Sequence, residues 1–244
     1  MSDILTVAWK EWRELIWLSS TVRGGRIGLL VILGMFGVFL PFETGAAWVT
    51  SVGPMLYWAW LPLMLVSGAV ADSFAGERER HTLETLLASR LPDRAILFGK
   101  VLAAISYGWL IVMAILVLSF ITVNLSVSGS GLLLPPWRLG LAGPLVALLG
   151  SGLAASAGVL VSLRAATVRQ AAQTLNVAVL IVVFAPVLGA QAMPESWRAQ
   201  FGLWMMSVGI DGVVWTAVTV LAGVDVLILA VAAHRFQRSR LMLD

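Results

Sequence analysis

Six apolar stretches leave this chain of 244 residues few ways to fold; they lie near 27–42, 49–72, 98–123, 139–163, 173–190 and 212–233. At 1.5 Å per helical residue, most of them can cross a hydrocarbon layer of about 30 Å. In lipid every backbone N–H and C=O must be satisfied inside the protein, so such stretches cross as helices. The first, 27–42, is about 24 Å long at that rise and is marginal; it either tilts little or has its ends anchored by Arg26 and Trp48. Charged residues make up 12% of the chain, half the usual share of a soluble domain, and mean hydropathy is +0.94. The sequence predicts an all-α membrane protein with one domain over 1–244. Residues 1–26 form an interfacial segment, 27–233 a six-span bundle and 234–244 a cytoplasmic tail.

An even number of spans puts both termini on one side, and the basic residues say which. Lys10, Arg13, Arg23 and Arg26 precede the first span. Arg78, Arg80, Arg90, Arg94 and Lys100 lie around the connection between spans two and three. Arg164 and Arg169 join spans four and five, and Arg235, Arg238 and Arg240 follow the sixth. The opposite side holds only Arg138 and Arg198. Positive charge is retained on the cytoplasmic side, so both termini are expected in the cytoplasm and the protein in the inner membrane. The net charge of +3 is explained by this placement and does not call for nucleic acid.

Ahead of the first span, DILTVAWKEWRELIWL has Ile4, Ala8, Trp12, Leu15 and Ile16 on one helical stripe, with Lys10, Glu11, Arg13 and Glu14 largely off it. With Trp9, Trp12 and Trp17 it reads as an amphipathic helix in the membrane interface, or one packed on protein; both can hold. A removable signal peptide is not expected, because no small-residue cleavage site follows.

Within the spans, Gly150, Ala154 and Gly158 recur every four residues, which brings another helix close, either in the same chain or in a second subunit. Pro186 is expected to kink the fifth span or end its regular part. Residues 191–211 read as a short helix or re-entrant turn at the outer surface. Asp225 is the only acidic residue deep in a span. It is a cation or proton site, or a structural carboxyl facing another helix.

Enzymatic chemistry finds no support. No cysteine is present, and His81 and His234 are too far apart in sequence to read as a metal pair. The only Gly-Lys pair, Gly99–Lys100, has Arg94 where a phosphate-binding loop needs its first glycine and Val101 where it needs a hydroxyl. It reads as a tight packing point followed by an interfacial cation. The spans contain no paired aspartates, Ser–His or Ser–Lys pair, or H-E-x-x-H motif.

The longest charged interval is GERERHTLETLLASRLPDRAILFGK, residues 76–100. Its start continues the second span as a helix, with Glu77 and Arg80 spaced as an i,i+3 pair. Thr82 then caps a short helix whose first turn holds Glu84 and whose apolar face is Leu83, Leu86 and Leu87. Pro92 ends it and suits the start of the third span. A short transverse helix between two long ones results, presented to a partner protein or to the lipid surface.

These residues resemble the membrane subunits of type-2 ABC exporters. The family signature E-x-E-x-G-T-L-E-x-L-L, then a proline and an I-L-x-G-K-V-L-A run, is met by Glu77, Glu79, Thr82, Leu83, Glu84, Leu86 and Leu87. Ile96, Leu97, Gly99, Lys100, Val101, Leu102 and Ala103 complete it. His81 departs from it, standing where glycine is usual. The resemblance implies that the transverse helix is a coupling helix contacting a separate ATP-binding subunit through Glu77, Glu79, His81, Thr82, Leu83, Glu84, Leu86, Leu87 and Arg90. It further implies two ATPase and two membrane subunits, the second permease being an identical or a related copy, with ATP and magnesium held by the partner and no cofactor in this chain. The cargo would be a hydrophobic or amphiphilic compound, a lipid-like molecule or an ion. A haem-handling, cofactor-maturation assembly and a non-transporting scaffold that recruits an ATPase are the alternatives.

Overall fold

The computed structural model describes residues 2–21, 23–79, 91–127 and 131–235, and these are helical throughout apart from short turns. Helix α1 is Ser2–Thr21, and α2, Arg23–Gly34, runs through a π-helical segment, Met35–Phe39, into α3, Leu40–Thr44. After α4, Ala46–Thr50, come the long helices α5, Met55–Glu79, α6, Asp93–Ser126, and α7, Trp137–Ser162. Helix α8 is Val168–Ala192, and α9 is Glu195–Arg235, broken at Gly209 by a φ of 72°. Six segments are long and apolar enough to cross a membrane: Gly25–Thr44, Met55–Glu77, Asp93–Ser126, Trp137–Ser162, Val168–Ala185 and Asp211–Arg235.

The second span begins at Met55, not at 49, because α4 ends at Ser51, whose backbone is extended (φ −107°, ψ 164°), and a turn over residues 51–54 leads into α5. Trp48 on α4 is not an interfacial anchor. It is buried, stacked on Tyr57 at 5.5 Å and edge-on to Trp58 at 5.8 Å. The π segment has a local cause. Pro41 has no N–H to offer the carbonyl of Gly37, and Thr122 of α6 donates its hydroxyl to that oxygen at 2.9 Å. Helix α8 continues past residue 186 to Ala192, and residues 195–208 form the expected short helix ahead of the sixth span.

Helices α5, α6 and α7 form the centre, with α1 and the α2–α3 unit on α6, α8 against α5 and α7, and α9 on α7. Close approach rests on glycine. A Cβ on Gly158 would lie 2.6 Å from Val70 Cγ1, one on Gly150 3.0 Å from the Ala59 carbonyl, and one on Gly108 2.3 Å from Val66 Cγ2. The small-residue stripe of α7 is therefore used within the chain, against α5. Replacing Gly158 with valine should cost about 1–3 kcal/mol, because the overpacked pair must separate. Unfolding of the detergent-solubilised variant reads this out, and wild-type stability would contradict it.

The bundle has a charged end. Helix α1, the end of α5, the start of α6 and the α7–α8 turn gather there, and Arg235 lines a shared crevice with Arg164 and Gln170. At the far end Arg138 of α7 pairs with Asp211 of α9 and stacks on Trp137 at 5.2 Å.

Candidate functional site: an ion cluster joining α1, α5 and α6

Ser73 and Glu77 lie one turn apart on the same face of α5. Lys100 stands about two turns into α6. Helix α1 lies over this junction because Gly99 admits it: a Cβ there would be 2.7 Å from Val7 Cβ and 3.1 Å from the Ile4 carbonyl. That contact sets the rotation of α1. The face it buries is Val7, Ala8 and Glu11, beside the half-buried Ile4, while Leu5 and Trp9 are exposed.

Glu11 thus belongs to the buried face and not to the polar one, and the reason is Lys100. The ammonium of Lys100, 1% exposed, donates to Glu11 Oε1 at 2.9 Å, Glu77 Oε1 at 2.9 Å and the Ser73 carbonyl at 2.9 Å. Those three bonds match the three donors of an ammonium group. Ser73 Oγ lies 3.2 Å from both Nζ and Glu11 Oε2, and the Phe74 ring centroid is 5.3 Å from Nζ. Lys100 is no interfacial cation; it is the centre of a buried cluster joining three helices. Lys10 adds a second positive charge 3.6 Å from Glu11 and 3.4 Å from Glu14. Its partial burial works to lower its pKa, but Glu11 and Glu14 outweigh this and hold it above the ordinary lysine value. A cleft of about 680 Å³ opens above the cluster between α1 and α5, with Trp9, Arg13, Glu14 and Asp72 on its walls.

The arrangement fixes helices against one another. A buried ion pair loses hydration and recovers it only when every partner is in place, so the cluster holds α1, α5 and α6 in one relative position. It does so two residues before Glu79, the last described residue of α5. Glu79 itself accepts the N–H of Val168 at 3.1 Å and so caps the start of α8. Thr167 and Gln170 complete that start: the threonine hydroxyl accepts from Gln170 N–H at 3.2 Å, and the glutamine accepts from Ala166 N–H at 3.0 Å.

Of the residues assigned to partner contact, Glu77 sits in the ion cluster and Glu79 at the α8 cap. His81, Thr82, Leu83, Glu84, Leu86, Leu87 and Arg90 lie outside the described residues. Asp225 is remote from the cluster, on α9 against α7, where a Cβ on Gly152 would come within 2.8 Å of its Oδ2. Its Oδ1 is buried without a hydrogen-bond partner among the described residues. Glu11 and Lys100 were missed as a pair. The signal was available: Lys100 falls inside the apolar stretch 98–123, and an ionisable group there calls for a partner.

The family model for the ABC-2 type transporter matches residues 2–218, which include Glu11, Ser73, Glu77 and Lys100. The chain belongs to the ABC-2 type transporter family. None of the curated proteins compared with it gives a significant match. As an ABC-2 permease subunit it is a multi-pass membrane protein, and its family supports a non-enzymatic transport role beside an ATP-binding subunit.

Proposed function

We propose that this ABC-2 permease subunit receives the force of ATP hydrolysis through residues 80–90 and moves a hydrophobic or amphiphilic cargo outward across the inner membrane. The observation that carries this reading is the ion cluster: the two helices that flank residues 80–90 are fixed to each other and to α1 by Lys100, Glu77 and Glu11. A displacement of the loop then moves three helices together. The charged end of the bundle faces the cytoplasm, in keeping with the basic residues gathered there. Leu83, Leu86 and Leu87 seat the coupling helix in a groove of the ATP-binding subunit, and Glu84 and Arg90 orient it. Two permeases and two ATPase subunits make the working assembly, the latter holding ATP and magnesium.

Replacing Leu86 and Leu87 with aspartate should abolish association with the ATP-binding subunit, or the ATPase stimulation it produces. Membrane insertion of the permease should be unchanged. Co-purification and ATP turnover with the cognate ATPase measure this, and wild-type stimulation in the double variant would sink the proposal.

A further inference from the structure

Helices α8 and α9 both pack on α7 but hardly on each other, so a groove floored by α7 runs between them. At the charged end of the bundle the groove opens into a crevice of about 390 Å³. Leu160 and Val161 of α7 and Val231 of α9 supply its apolar part. Its rim is basic: Arg164 comes from the α7–α8 turn, and Arg235 is the last described residue of α9. Both arginines are exposed, and neither is paired with an acidic side chain among the described residues. Nor is any acidic residue among the described residues that line the crevice. Gln170 of α8 lines it too. Its amide oxygen accepts from Ala166 N–H at 3.0 Å, which leaves the two N–H donors for another partner.

Arg164 follows the span Trp137–Ser162 by two residues and Arg235 closes the span Asp211–Arg235, so both stand at the depth of lipid headgroups. Two like charges on one crevice repel unless an anion lies between them, and the guanidinium fork matches phosphate oxygens. At roughly 30 Å³ each, about a dozen water-sized groups fit the space, the scale of a phosphodiester with its glycerol. The groove then continues toward the membrane interior as an apolar channel. Val177 and Ile181 follow Thr174, a crevice residue, on the same face of α8, and Leu227 lies one turn before Val231 on α9. All three are exposed. A free anion makes no use of that continuation, whereas an acyl chain fills it. We infer that the crevice binds the headgroup phosphate of an anionic phospholipid from the leaflet at the charged end of the bundle, with an acyl chain in the α8–α9 groove. The inference does not depend on how the permease is coupled to ATP, since binding alone tests it.

The test uses the full-length permease in phosphatidylcholine nanodiscs and a phosphatidylglycerol probe with a diazirine in one acyl chain. Adducts are located by mass spectrometry. Labelling should saturate, should fall on Val177, Ile181 or Leu227, and should be displaced by unlabelled phosphatidylglycerol but not by inorganic phosphate. Arg164→Gln and Arg235→Gln should each weaken binding about fivefold and together about thirtyfold, the usual worth of basic residues beside anionic lipid. Arg169→Gln removes the same charge from an exposed position near the crevice but outside its lining, and should leave the affinity unchanged. Thr174→Trp, also at an exposed position, fills the crevice at constant charge and should abolish saturable labelling. An Arg169→Gln effect as large as that of the crevice variants would show attraction to the basic surface as a whole and overturn the site. Displacement by inorganic phosphate would assign the arginines to a soluble anion instead. Absence of adducts in the groove, as a second copy of the chain covering it would produce, would equally overturn the assignment.

Discussion

Lys100→Met should lower the unfolding temperature of the detergent-solubilised permease by on the order of 10 °C, from a loss of about 3–5 kcal/mol. The size of the effect follows from what is left behind. Glu11 and Glu77 both lie within 2.9 Å of the ammonium and are 7% and 14% exposed. Without it, two carboxylates face each other in a site that water barely reaches, and one must take up a proton or α1 must lift away. Methionine fills the space of the lysine stem, so packing alone does not account for the loss. Adding Glu11→Gln and Glu77→Gln to Lys100→Met should recover most of the stability, because a neutral polar cluster has no ion to desolvate. A single variant as stable as the parent would show that the cluster is not shielded from water.

Gly99→Val should detach α1. The Cβ would meet Val7 Cβ at 2.7 Å and the Ile4 carbonyl at 3.1 Å, and both belong to the framework of α1 and not to the tip of a flexible side chain. The helix must therefore move as a unit, at about 1–3 kcal/mol for the overpacking. Glu11 moves with it, so the second effect compounds the first. Limited trypsin digestion gives the readout: cleavage after Lys10 or Arg13 should become at least several-fold faster, while sites in the bundle keep their rates. Unchanged resistance at those two residues would rule the model of docking out.

Much of the bundle was legible because lipid removes alternatives. Runs of apolar residues long enough to span, separated by charge, are sufficient to place six helices to within a few residues. The errors arose where local backbone chemistry intervened. The extended Ser51 and the turn over residues 51–54 end α4 before α5 begins, and the pattern of hydrophobicity alone ran 49–72 together as one span. The Gly150–Ala154–Gly158 spacing announced close packing without saying against what; only the facing surface of α5, with Val70 and the Ala59 carbonyl, decides that. The functional site was less legible still. Glu11 looks like a solvated residue when α1 is considered by itself, since its partner is 89 positions away in the chain. Burial of an ion is a property of three helices meeting, and periodicity within any one of them does not contain it. Lys100, an ionisable group at the start of an apolar run, was the only local hint.

Glu79 occupies two offices at once. It is the last described residue of α5, and its carboxylate closes the first turn of α8 through Val168 N–H. Any pull on residue 80 that tilts the end of α5 withdraws that carboxylate from α8, and the first turn there loses an acceptor at its positive pole. The fifth span is thereby sensitive to the state of a connection it does not belong to. A motion delivered between spans two and three would reach the root of span five through the packing of Ala71 and Ala75 on Ala171 and Leu175 and, at the first turn, through the 3.1 Å bond from Val168 N–H to Glu79.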